Sequence, residues 1–91
     1  MIIIENFGFK NKAGVIVGGY PINIYDDNKL IAHLGNEFVS LAFKIIDENL
    51  NKGDTFKFRI LDNNKRIIEE TDNIFDKVEN NKIYYNSIAE E

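Results

Sequence analysis

The chain has no cysteine and no tryptophan, one proline, Pro21, and one histidine, His33. Without cysteine there is no disulfide framework, no thiolate zinc site and no cysteine nucleophile. That absence suits a reducing compartment. A single histidine cannot build a two-histidine metal centre, so the reading is of a chain with neither metal nor cofactor. Long apolar runs are missing as well. Met1-Ile2-Ile3-Ile4 gives way at once to Glu5 and Asn6, too short for a signal peptide or a membrane span. The expected location is therefore the cytoplasm, with no membrane partner. Basic residues are outnumbered, 11 Lys and Arg against 15 Asp and Glu. The resulting net charge of −4 repels phosphate backbones at long range and disfavours non-specific nucleic-acid binding.

What remains is an ordinary globular composition. Ninety-one residues make one domain, and Leu, Ile, Val and Phe supply 31 of them, enough for a core and well above the disordered regime. Ile, Asn and Lys, all with AT-rich codons, account for 37 residues, which suggests an AT-rich genome such as that of a low-GC bacterium or its phage. Residues 1–45 are electrically balanced, whereas residues 46–91 carry seven basic and eleven acidic side chains.

Local patterning predicts an α+β domain: a small, mainly antiparallel sheet with one main helix at about 36–50 and one short helix at about 71–80. Strands are expected at Ile2–Phe9 and Val15–Val17, separated by a turn at 11–14, the second ending at Gly18-Gly19 and Tyr20-Pro21. Ile22–Tyr25 and Leu30–Leu34 form a hairpin around a polar turn, with Ile22 and Ile24 on one face. Asn36 serves as cap for the main helix. Phe38, Leu41, Ala42, Ile45 and Ile46 form its buried stripe, Val39 and Phe43 widen it, and Gly53 stops it. Alternation also permits a strand from Phe38 to Ile45, which would make the domain an all-β sandwich. Phe56, Phe58 and Ile60 then alternate with Thr55, Lys57 and Arg59. A turn at 62–65 leads into 66–70. Thr71 or Asp72 caps the short helix, with Ile74, Phe75 and Val78 on one side, and Lys82–Ile88 is a last strand.

Few residues suggest chemistry on their own. Gly14, Gly18 and Gly19 match neither a dinucleotide nor a phosphate-loop spacing, and turn formation explains them. Ser40 lacks a glycine elbow. Glu69 and Glu70 point to opposite faces of a strand and cannot act as a carboxylate pair. Arg66, three residues before Glu69, reads as its surface ion-pair partner. The tyrosines at 20, 25, 84 and 85 have little basic interleaving and read as packing residues. His33 is the one imidazole of the chain, the side-chain type suited to moving protons near neutral pH.

In order along the chain, certain residues resemble the small viral ring nucleases, the type III anti-CRISPR proteins that degrade cyclic tetra-adenylate. They are Asn6 in the opening strand stretch, Leu34, Gly35 and Glu37 at the helix start, Gly53-Asp54 opening a strand, and Arg66 with Glu69. The resemblance implies metal-independent attack of a ribose 2′-hydroxyl on its neighbouring phosphate. Arg66 would hold phosphate, Glu69 would orient or exchange a proton, and Asn6, Gly35 and Asn36 would contact nucleotide. It also implies a twofold dimer. Asn36 stands where the family has its catalytic histidine, the segment before Gly53-Asp54 is nearly absent, and Glu70 replaces a glycine. An amide cannot donate a proton as imidazolium does, so cleavage would require His33 to substitute, and otherwise the ring would be bound without being cut.

Three functions follow as expectations. One is a counter-defence protein that binds or degrades a cyclic oligonucleotide. Another is a non-enzymatic inhibitor or immunity-type module that binds a protein, such as a host defence protein, through its acidic C-terminal half. The last is a structural module of a viral assembly.

Overall fold

A computed structural model describes residues 1–10, 12–14 and 16–88. Its strands are β1 (Ile2–Lys10), β2 (Ile16–Asp26), β3 (Lys29–Leu34), β4 (Thr55–Leu61), β5 (Ile67–Glu79) and β6 (Lys82–Ser87). A 3-10 turn (Asn36–Phe38) and helix α1 (Val39–Asn49) lie between β3 and β4. The strands form one sheet in the order β3-β2-β1-β4-β5-β6. Among the described residues, only the central pair, β1 and β4, is parallel. The fold is thus α+β, and α1 carries the chain from the β3 edge back to the sheet's centre. Asn11 and Val15, in the turn and strand expected at 11–14 and 15–17, lie outside the described residues.

Helix α1 covers one face of the sheet. Ile2, Ile4, Ile24, Phe56 and Phe75 from the strands meet Ile46 and Leu50 in one buried cluster. The helix stripe is rotated from the expected one: Ala42 and Ile46 are buried, while Phe38 and Leu41 are 49% and 44% exposed. Phe38 belongs to the 3-10 turn, whose tighter winding takes it out of step with the helical period. Asn36 makes no capping bond. Gly35 precedes it in extended conformation, and its carbonyl accepts from Phe38 N–H at 3.1 Å. Nor does Gly53 stop the helix. Leu50 does so by turning extended while its N–H still reaches Ile46 O, and Gly53, at φ +93°, serves the following turn.

The short helix expected at about 71–80 is absent. Those residues continue β5 to Glu79, and Asn80-Asn81 is the turn of a hairpin. The cause is a bulge. Phe75 pairs with Tyr85 and Lys77 with Tyr84, leaving Asp76 as an extra residue. Phe75 and Val78 therefore reach the same face three residues apart, which imitates a helical period. β2 likewise runs unbroken through Gly18, Gly19 and Pro21, because its register against β1 is irregular between Gly18 and Ile22. An irregular stretch is where an interior strand tolerates proline.

Both two-residue hairpin loops use left-handed residues, Asp27 and Asn28 at φ +48° and +68°, and Asn80 and Asn81 at +53° and +54°. Asn tolerates this region and β-branched residues do not. Asn28→Val is expected to cost about 1–2 kcal/mol and Asn28→Gly close to nothing, as read from urea denaturation midpoints. Equal midpoints for the two variants would remove the backbone explanation.

Candidate functional site

Alternation sends the side chains of each strand to two unlike surfaces. Among the described residues no helix or strand covers the face opposite α1. There, one register row runs across five strands: His33, Asn23, Glu5, Arg59 and Glu70. His33 Nδ1–H donates to Asn23 Oδ1 at 2.6 Å, and Asn23 Nδ2 donates to Glu5 Oε1 at 3.2 Å. Arg59 Nη1 donates to Glu5 Oε2 at 3.3 Å, and its Nε donates to Glu70 Oε2 at 2.8 Å. In the adjoining row Tyr25 O–H donates to Glu5 Oε1 at 3.4 Å, and Lys57 Nζ donates to Glu70 Oε1 at 3.1 Å. Glu5 is only 6% exposed, so a carboxylate sits buried among donors that satisfy it.

The electrostatics of this row are self-contained. Hydrogen bonds from Arg59 and then Lys57 hold the Glu70 carboxyl below its ordinary value. Glu70 raises Lys57 and Arg59 in turn. Burial, then the Glu5 charge, pushes the Tyr25 phenol up. Because the Glu70 value is depressed by folding, its stabilising contribution is complete above the unfolded carboxylate range and is lost as pH falls through the lower folded value. Arg59 in this row and Lys57 in the adjoining one are already matched by carboxylates, so neither offers a free positive charge to a phosphate.

The α1 face carries a different feature. Beyond the helix, a pocket of about 370 Å³ is lined by Asn6, Phe58, Ile60, Glu69, Thr71, Tyr85 and Ser87. Phe58 and Tyr85 meet edge to face at 5.0 Å, and both rings lean on Phe56. Beneath the polar side sits Asn73, 0% exposed. Its Nδ2 donates to Thr71 O and Thr71 Oγ1 at 3.1 and 3.3 Å, and Ser87 Oγ–H donates to its Oδ1 at 3.2 Å. One buried amide thus sets the polarity of two hydroxyls. Thr71 keeps its proton for a guest, while Ser87 presents lone pairs.

The residues singled out from sequence divide between these places. Asn6 and Glu69 come together in the pocket. His33 stands on the other face, where the same register places Glu70 rather than Glu69. Arg66 is exposed beside the β4–β5 turn, where its backbone N–H binds Asp62 Oδ1 at 3.0 Å. No ion pair joins it to Glu69 among the described residues. Gly35 and Asn36 begin the 3-10 turn past the end of β3. Glu5, Asn23 and Tyr25, and the pocket's Phe58, Thr71, Tyr85 and Ser87, carried no motif. Alternation assigned the face of Lys57 and Arg59 but not their partners. Among the described residues no group of three or more His, Asp or Glu side chains is placed to hold a metal ion. No helix among them is long and apolar enough to cross a membrane. No family model matches this chain, and neither a curated protein nor a solved structure matches it.

Proposed function

We propose that the chain is a non-enzymatic inhibitor or immunity-type module that binds a protein partner through the C-terminal half of its sheet, with the pocket over β4, β5 and β6 as the anchor point. The observation that carries this reading is the pocket itself. Two aromatic walls and a small set of oriented polar groups converge there, six of its seven lining residues lie between 58 and 87, and such a concavity is the usual seat of a binding hot spot. The opposite face supports the non-enzymatic part, because its charged groups satisfy one another and His33 has no acid or base partner at the pocket.

The test is capture of a stoichiometric protein from a lysate of the source organism by the immobilised chain. Tyr85→Ala should reduce capture at least about tenfold, as loss of an aromatic anchor does, while His33→Ala should leave it unchanged. Absence of a stoichiometric partner, or equal capture by both variants, would overturn the reading.

A second reading draws on Asn6 and Glu69 lining one pocket, since the resemblance to ring nucleases assigns Asn6 to nucleotide contact and Glu69 to orienting or exchanging a proton. In that case cyclic tetra-adenylate is bound by a twofold dimer and not cut, because His33 lies on the far face and Asn36 has no proton to give. Calorimetry and chromatography with cyclic tetra-adenylate decide it. Cleavage without added metal would replace the protein-binding reading with an enzymatic one.

A further inference from the structure

We infer that the pocket over β4–β6 accepts a cation, specifically the guanidinium of an arginine side chain presented by the partner. This rests on the protein-binding reading and names what its anchor point takes.

The inference starts from the charge and polarity of the lining. Neither lysine nor arginine lines the pocket, and its one ionisable acid, Glu69, has no ion pair or side-chain hydrogen bond among the described residues. Its neighbour Glu70, one residue on, is engaged by Arg59 and Lys57 on the opposite face, so those cations are not available to Glu69. Ser87 Oγ–H donates to Asn73 Oδ1, which leaves the Ser87 lone pairs free to accept. The Asn6 amide, with no side-chain partner among the described residues, adds an acceptor oxygen and two N–H donors. The one formal charge among the lining residues is the Glu69 carboxylate, and beside the acceptors of Ser87 and Asn6 it selects a ligand that is positive and carries several N–H donors.

Shape narrows the choice further. Phe58 and Tyr85 give the cavity aromatic walls, and a flat, weakly hydrated guanidinium stacks on such rings while its fork of N–H groups meets a carboxylate in two parallel bonds. An ammonium is more strongly hydrated and makes no such fork. Phosphate and other anions would meet Glu69 with no compensating charge.

The probes are N-acetyl-arginine methylamide, its lysine counterpart and its citrulline counterpart, which keeps the arginine shape without the charge. Titrating each against the isotopically labelled chain should give saturable shifts at the Thr71, Tyr85 and Ser87 amides with the arginine probe, with Kd on the order of millimolar for one side chain. Citrulline should bind at least about tenfold more weakly, and Glu69→Gln should weaken the arginine probe by about tenfold, as loss of a charge-assisted bond does. Glu69 is exposed, and dispersed amide spectra will confirm that this variant folds. Equal binding of citrulline, lysine binding as tightly as arginine, no saturable shift, or an unaffected Glu69→Gln variant would each overturn the inference. If partner capture is still lost in Tyr85→Ala but unchanged in Glu69→Gln, the guanidinium assignment fails while the protein-binding reading stands. If the arginine probe binds as expected but Tyr85→Ala captures partner normally, the protein-binding reading is the one that fails.

Discussion

Phe56→Ala is expected to lose about 3–5 kcal/mol of folding stability, a large part of the roughly 5–14 kcal/mol a domain of this size possesses. Phe56 is 0% exposed at the middle of the sheet, flanked by Ile2 on β1 and Asn73 on β5. Its ring makes edge-to-face contacts with Phe58 at 5.0 Å, Tyr85 at 6.0 Å and Phe75 at 6.1 Å, geometries that contribute beyond the buried area. α1 seals the same cluster through Ile46, joined by Leu50 just past the helix end. A backbone held on both sides cannot collapse into the vacated space, so the cavity term is added in full. The pocket shares this fate, because Phe58 and Tyr85 both rest on the missing ring, and ligand binding should fall with stability. A urea denaturation series reads the effect, and a loss below about 1 kcal/mol would mean that the helix and sheet pack independently of this ring.

Arg59→Ala should cost about 2 kcal/mol at neutral pH, the lower part of the range for stranding a buried charge, because Arg59 keeps 24% of its side chain in solvent. The loss arises less from the missing bonds than from what they leave behind. Glu5 stays buried on the sheet with only Asn23 and Tyr25 as donors, and Glu70 retains only Lys57. The pH dependence has a definite sign. As the pH falls through the lowered folded value of Glu70, the wild type loses a contribution that comes first from the Arg59 hydrogen bond and that the variant already lacks. The two stability curves should therefore converge on acidification. Replacing Glu5 and Arg59 together by leucine should recover part of the loss, since it removes the stranded Glu5 charge, although Asn23 Nδ2 and Tyr25 O–H then lose their Glu5 acceptor. A constant gap across pH, or a double variant less stable than Arg59→Ala, would show that Arg59 acts through packing instead.

Much of this architecture can be read in the chain before any coordinates. The alternation of Phe56, Phe58 and Ile60 with Lys57 and Arg59 assigns the two faces of β4. The Asp-Asn loop marks the β2–β3 hairpin, and the continued apolar pattern past residue 45 selects a helix there over a strand. β5 was misread because its bulge at Asp76 places Phe75 and Val78 at a helical interval. The strand break expected at Gly18-Gly19 failed because the irregular register there lets β2 absorb glycine and proline. Opposite orientations for Glu69 and Glu70 were legible from the strand period, and the structure has them on separate faces: Glu70 in the ion-pair row, Glu69 at the pocket.

From residue type and an interval of two along the backbone follow the two faces of β4, the β2–β3 turn and the lack of thiol chemistry, but not the extent of β2 and β5. Which strands become neighbours was decided only by the tertiary structure. Pairing β1 with β4, some fifty residues away, places Glu5 against Arg59 and Asn6 beside Ile60. Pairing β4 with β5 and β5 with β6 gathers the aromatic walls and Glu69 around Asn73. No local interval encodes such contacts, since they arise from the most complete burial of Phe56 and its neighbours beneath α1, and the pocket and the charged row follow from that register.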